Sequence, residues 1–170
     1  MILLELLAGE APDVKVRKNF LLEAALVAWK TVEDMDRAQE ILSLAAEEFG
    51  DDDAVLDRYE QLLTETQRVE ELEELLRNRV DLTADPEARG DVRLRLGNLL
   101  LNLDDRSGEG VEELLAALDE APGKEVLWKI LESLLGSDDT PSEDRLKIAE
   151  ALEERYPEET PVDRVRTTME

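Results

Sequence analysis

The sequence predicts an all-α protein built from antiparallel helical hairpins strung in series. Ala, Glu, Leu, Lys and Arg fill 94 of the 170 positions, the composition of long helices or helix repeats. No segment alternates in strand fashion with β-branched or aromatic residues, so no sheet is expected. Breaks fall at Pro12, Gly50, Pro86, Pro122 and Pro157, which are 38, 36, 36 and 35 residues apart. Regular spacing of this size marks a repeat architecture. Each interval holds two helices of about 12–16 residues and two short turns. A weaker break falls inside each, at 33–36, 66–68, 104–108 and 136–141. One domain follows, with units 13–50, 51–85, 86–122 and 123–157 between partial units 1–12 and 158–170.

Each helix has a reason in the sequence. Residues 14–31 place Phe20, Leu21, Ala24, Ala25, Ala28 and Trp29 at helical spacing, with Lys15, Lys18, Glu23 and Lys30 off that stripe. Residues 36–49 repeat the pattern with Ala38, Ile41, Leu42, Ala45 and Phe49. Residues 55–65 present Val55, Leu56, Tyr59, Leu62 and Leu63, and residues 69–82 present Leu72, Leu75, Leu76, Arg79 and Val80. Asp85 reads as an N-cap before Pro86, whose missing N–H costs nothing at the first helical position. Thr140-Pro141-Ser142-Glu143 reads as a capping box, Thr140 and Glu143 satisfying each other's backbone amides. Losing either cap residue should cost on the order of 1 kcal/mol. Thr160-Pro161-Val162-Asp163 repeats that shape and predicts a further helix from Pro161.

Leu96-Gly97, Leu100, Gly110, Leu114, Ala117-Leu118 and Pro122 resemble the tetratricopeptide repeat, once one extra residue is admitted in the 104–110 turn. The Gly–Ala pair of the motif is small because the two helices of a hairpin approach closely there. The next unit has Trp128 where the family has its Trp, then Leu131 and Leu135, and closes at Pro157. Upstream, Ala38, Leu42 and Ala45 fit a second helix. Departures are Arg93 at the family's Trp position and Glu132 at its Gly. The phrasing from Leu72 to Gly97 resembles divergent repeats of large bacterial scaffold proteins. The resemblance implies a short right-handed α-solenoid, against other paired-helix repeats or a plain bundle.

Residues 1–9 read as the back half of a second helix, and residues 161–170 as the opening of a further first helix. Leu3, Leu4, Leu6 and Leu7 would be bare at an uncapped end, since each repeat buries its face on a neighbour. The expectation is a fragment of a longer chain or a protein whose ends dock. The alternative is that both end helices fold back as caps.

Chemistry is sparse. With no Cys and no His, the chain lacks disulfides, thiolate nucleophiles and the commonest general base and zinc ligand. Asp51-Asp52-Asp53 reads as a solvated turn before a helix. Residues 104–110 put Arg106 and Gly108 at calcium-ligand positions and so fail as a calcium loop. Gly108-Glu109-Gly110 lacks the following Lys-Ser/Thr of a phosphate loop. The serines have no imidazole beside them. No enzyme, metal or cofactor is expected.

The net charge of −24, from 44 acids and 20 bases, repels nucleic acid and anionic lipid and attracts basic partners; its plainest role is solubility. Neither a membrane span nor a secretory leader is read, so the expected site is the cytoplasm. The aromatic residues sit at stripe spacing, which core packing explains better than base stacking.

In a tetratricopeptide stack the first helix of each hairpin lines a concave face that receives a peptide or helix. Carried over by motif position, the lining is Asp57, Arg58 and Gln61, then Arg95, Asn98 and Asn102, then Lys129 and Ser133. Arg and Asn there suit a ligand's backbone or carboxylate. A merely solvated face is the competing reading, and the family's carboxylate clamp has a Lys where Leu94 stands. The expected function is a non-catalytic scaffold binding a protein partner, with a basic segment in that partner favoured by charge. The alternatives are a structural spacer that self-associates through its end helices and, less in keeping with the even spread of acids, an acidic nucleic-acid mimic.

Overall fold

In the computed structural model, residue 9 and residues 13–155 are described. Among them lie eight α-helices and no strand: α1 Val14–Val27, α2 Met35–Glu48, α3 Asp53–Glu65, α4 Val69–Leu82, α5 Pro86–Leu101, α6 Ser107–Glu120, α7 Glu125–Leu135 and α8 Ser142–Arg155. Within the two units, α1 packs on α2, α5 on α6 and α7 on α8. The second helix of every hairpin is 14 residues long. The expected helices at residues 1–9 and from Pro161, and the close at Pro157, lie outside the described residues.

Caps set the starts. Asp13 accepts hydrogen bonds from the Lys15 and Val16 amides, at 2.9 and 3.1 Å. Asp34 accepts from Arg37 N at 3.0 Å, and Asp52 from Val55 N at 3.3 Å. Each carboxylate satisfies an otherwise orphaned amide and faces the positive end of the helix dipole. Two expected caps differ. Asp85 stands at the cap before Pro86, but its side chain makes no capping bond. In α8 the first backbone bond runs from Arg145 N to Pro141 O at 3.0 Å, so Pro141 holds the cap position and Thr140 lies one residue outside it. Pro141 has no N–H to orphan there, and Thr140 is buried instead.

The turns inside the first three hairpins share one conformation. Glu33, Gln67 and Asp105 all have left-handed backbones, with φ of 59°, 56° and 61°. Before Glu33, α1 widens into a π-turn over Ala28–Val32, and Asp34 N closes it on Ala28 O at 2.9 Å. None of the three is glycine, so each turn holds its residue at a cost of roughly 1 kcal/mol.

The chain divides into two compact units, Met1–Leu75 and Leu76–Glu170. In the first, the predicted stripes are the core: Ala24, Ala25, Ala28, Ala38, Leu42, Ala45, Val55, Leu62 and Leu63 are fully buried, and Trp29, Phe49 and Tyr59 nearly so. Phe20 is only half-buried. In the second, Val111, Leu114, Ala117, Leu118, Leu127, Leu131, Leu135, Ile148 and Leu152 form one cluster, with Leu94, Leu101 and Trp128 packed against it. Burying a side chain of this size stabilises by about 1.5–3 kcal/mol, so these stripes hold the helices together.

Helices α5 and α6 approach closely at their small residues. A Cβ built at Gly97 would lie 3.0 Å from Gly110 O, and one at Gly110 would lie 2.9 Å from Gly97 O. One turn-pair earlier, a Cβ at Gly90 would lie 3.2 Å from Ala117 O. The small residues that carry the repeat resemblance are therefore the ones at which the two backbones meet.

Candidate partner-binding surface

The predicted lining residues fall on both units. Arg58 and Gln61 are on α3 in the first; Arg95, Asn98, Asn102 and Lys129 are on α5 and α7 in the second. Arg58 and Arg95 occupy equivalent positions of their hairpins, as do Gln61 and Asn98. Each pair has the same 37-residue separation as the buried Val55 and Val92.

Most of these groups are engaged within their own helix. Gln61 donates to Glu65 Oε1 at 3.0 Å. Arg95 is half-buried and its Nε donates to Asp91 O at 3.4 Å. Asn102 stands at the C-terminal cap of α5, where its amide turns back to Asn98 O at 2.7 Å. Lys129 projects into solvent with 69% of its side chain exposed and pairs with Glu125 one turn away, at 2.7 Å. Arg58 is half-buried, and Asp57 and Ser133 are exposed. Arg95 and Asn98 lie one turn apart on α5, with Asn102 at its end.

A larger polar constellation lies on the second unit, and none of its members were among the expected lining residues. Arg93, in the family's Trp position, donates from Nη1 to Glu113 Oε2 at 2.6 Å. Its Nε lies 3.3 Å from Glu120 Oε2 without the alignment of a hydrogen bond. Arg89 donates to Glu120 Oε1 at 2.8 Å and to Thr83 O at 3.0 Å. Arg77 reaches Glu109 at 3.1 Å and Glu113 at 3.9 Å. Burial opposes the charge on Arg93. The hydrogen bond and charge of Glu113, joined by Glu120, outweigh it and hold the guanidinium above its ordinary value. Arginines and glutamates neutralise each other here, so the cluster braces α5 on α6 and offers no free acid or base. Its signal in the sequence is the i,i+4 pair Arg89/Arg93 set against the i,i+7 pair Glu113/Glu120.

Polar pairs also recur about one repeat apart. Lys18 bonds Asp52, and Lys30 bonds Glu65 at 2.8 Å. Arg68 bonds Asp36, and Gln39 donates to Glu71 at 3.3 Å. In the second unit Lys124 bonds Asp91, and Lys147 lies 3.4 Å from Glu112. Ser107 Oγ donates to the buried Asp144 at 3.0 Å. The partners in these pairs are 32 to 37 residues apart. The bond from Lys18 draws the Asp52 carboxyl below its ordinary value; burial opposes the shift, while Lys18's charge and the α3 amides reinforce it. The Lys30 bond lowers Glu65, and the Glu112 bond raises Lys147.

An open groove of about 260 Å³ lies between α1 and α2, lined by Leu21, Ile41 and Leu44 under Arg17, Arg37 and Glu40. It includes none of the predicted residues. Among the described residues no three acidic side chains converge as metal ligands, and no helix is long and apolar enough to cross a membrane. No family model, curated protein or solved structure matches the chain.

Proposed function

We propose that the chain is a non-catalytic protein-interaction scaffold of the cytoplasm, a tetratricopeptide-like right-handed stack whose first helices face a peptide or helix of a protein partner. The observation that carries this reading is the set of polar pairs at one-repeat separation. Equivalent helices of successive hairpins, such as α1 and α3 or α5 and α7, are tied to each other, as stacking requires. Arg58 and Gln61 on α3, and Arg95 and Asn98 on α5, repeat one polar chemistry at the same spacing within their helices. The surplus of 24 negative charges favours a partner segment rich in Lys and Arg.

The test compares the wild type with Arg95→Glu/Asn98→Ala as baits in host lysate, with circular dichroism on both. The reading expects a discrete protein that the wild type enriches and the variant captures at least tenfold less, at unchanged helicity. A partner captured equally by both would move the site off this face. A folded bait that captures nothing would favour a structural spacer, which the same pairs also support because they spend polar groups between repeats. A spacer associates at high concentration, so sedimentation of the wild type separates the two readings.

A further inference from the structure

The groove between α1 and α2 belongs to the first unit and sets an apolar floor beneath a basic edge. Leu21 and Ile41 form the floor, and Leu44 at its side is 49% exposed. Val14 and Val16, in the first turn of α1, are exposed as well. Among the described lining residues two arginines, Arg17 and Arg37, stand against one acid, Glu40. That edge is basic in a chain whose acids outnumber its bases 44 to 20. Arg17 pairs with Glu48 at 2.9 Å, and Arg37 with Glu40 at 2.6 Å. Arg17 Nε is nonetheless buried without a hydrogen-bond acceptor. Gly9 lines the same groove, so residues 1–8 join the described chain at its edge.

We infer that the occupant of this groove is the chain's own segment 2–7, with Ile2, Leu3, Leu4, Leu6 and Leu7 as its apolar surface and Glu5 as its acid. The aliphatic side chains suit Leu21, Ile41 and Leu44, and the carboxylate suits the arginine edge. The reach is sufficient. Eight residues span about 12 Å as a helix and at most about 28 Å extended, while packed helices lie about 8–10 Å apart. A second copy is disfavoured twice over. It brings another 24 negative charges toward the first, and it competes with a short tether whose effective concentration is on the order of millimolar. The segment gives this apolar face the cover that a repeat otherwise takes from a neighbour. The inference does not depend on the partner-binding reading, which concerns α3, α5 and α7.

Thiol trapping in the full chain tests it, because the chain has no Cys. Leu4→Cys/Leu44→Cys and Leu7→Cys/Leu44→Cys each put one thiol on the segment and one on the groove. Leu4→Cys/Val32→Cys is the control: Val32 is 53% exposed and lies eleven residues beyond Leu21, about 16 Å along a helix. A disulfide closes only when the two Cβ atoms come within about 4.5 Å. Expected is oxidation of at least one groove pair at least tenfold faster than the control, to a cross-linked monomer of unchanged helicity. Disulfide-linked dimers as the main product would give the groove to a second copy and overturn the inference. Both groove pairs oxidising at the control rate would leave the groove to a separate partner and overturn it too. A nitroxide on Glu5→Cys is an independent measurement that keeps every leucine. The methyl signals of Leu21, Ile41 and Leu44 should at least halve, and unchanged intensities refute the docking. When the nitroxide is carried instead by isotopically unenriched copies mixed with enriched unlabelled chain, the broadening should vanish; broadening that persists assigns the groove to a second copy.

Discussion

At Gly97 and Gly110 the absence of a side chain is a packing requirement. A methyl group at either site meets a facing carbonyl oxygen at 3.0 or 2.9 Å, and a backbone atom inside a helix cannot step aside as a flexible side chain can. Alanine gains about 1 kcal/mol of helix propensity over glycine, while overpacking a close interface costs about 1–3 kcal/mol. Gly97→Ala or Gly110→Ala should therefore lose about 1–2 kcal/mol of stability in urea unfolding. Gly123→Ala is the control: nothing lies within 4 Å of its built Cβ, and a change near zero, within about 0.5 kcal/mol, is expected. If Gly97→Ala stabilises the protein, the close approach is not the reason for glycine there.

Among the elements, α3 shows how a cap becomes pH-sensitive. Asp52 both caps the helix and holds Lys18, and its carboxyl sits below the ordinary value. A carboxylate lowered in the folded state adds stability above its unfolded pKa of about 3.9, and that stability is lost as pH falls through the lower folded value. Asn caps as well as Asp, so Asp52→Asn removes the charge and spares the cap. The wild type should exceed Asp52→Asn by under about 1 kcal/mol at pH 7, as suits a partly exposed pair. The difference should vanish as pH drops below the carboxylate range. A difference that persists at pH 2.5 would assign the effect to packing.

Helix boundaries were legible because capping acids and prolines punctuate the chain, and Val69–Leu82 agrees with its predicted ends at both termini. The buried stripes were legible because periodicity is a local property, and it placed even Arg79 on the inner face. Thr140 was misplaced by one residue because proline is equally compatible with the cap and the first turn. The spacing of Arg89/Arg93 and of Glu113/Glu120 was visible in the sequence, but their pairing across α5 and α6 was not. It joins residues 20 and 31 apart, and no local pattern says which of many acids a given arginine will meet. The expected lining residues lie on α3, α5 and α7 or at the end of α5, but the bonds that Gln61, Asn102 and Lys129 make within their own helices depend on rotamers that sequence does not encode.

For the whole molecule, charge is the governing quantity. Forty-four acids against 20 bases leave the folded state repelling itself. Salt weakens both this repulsion and the ion pairs, with a Debye length of about 10 Å at 0.1 M. Partly buried contacts are screened less than spread surface charge, so the repulsion fades first. Thermal unfolding midpoints should rise between low salt and about 0.5 M sodium chloride, the range over which the Debye length shrinks from roughly 30 Å to a few Å. A falling midpoint would mean that the inter-repeat pairs dominate the electrostatics.

The 72 residues that separate the Arg17–Glu48 and Arg89–Glu120 pairs are also an editing unit. The Arg17–Glu48 pair returns as Arg89–Glu120 and the left-handed turn at Glu33 as that at Asp105, each after 72 residues, so Phe49 precedes the same kind of junction as Ala121 does. Excising residues 50–121 joins Phe49 to Pro122 with every downstream signal in phase, and repeating that block lengthens the chain without disturbing its grammar. Length in such a protein is a quantity that evolution or an engineer can set in whole steps.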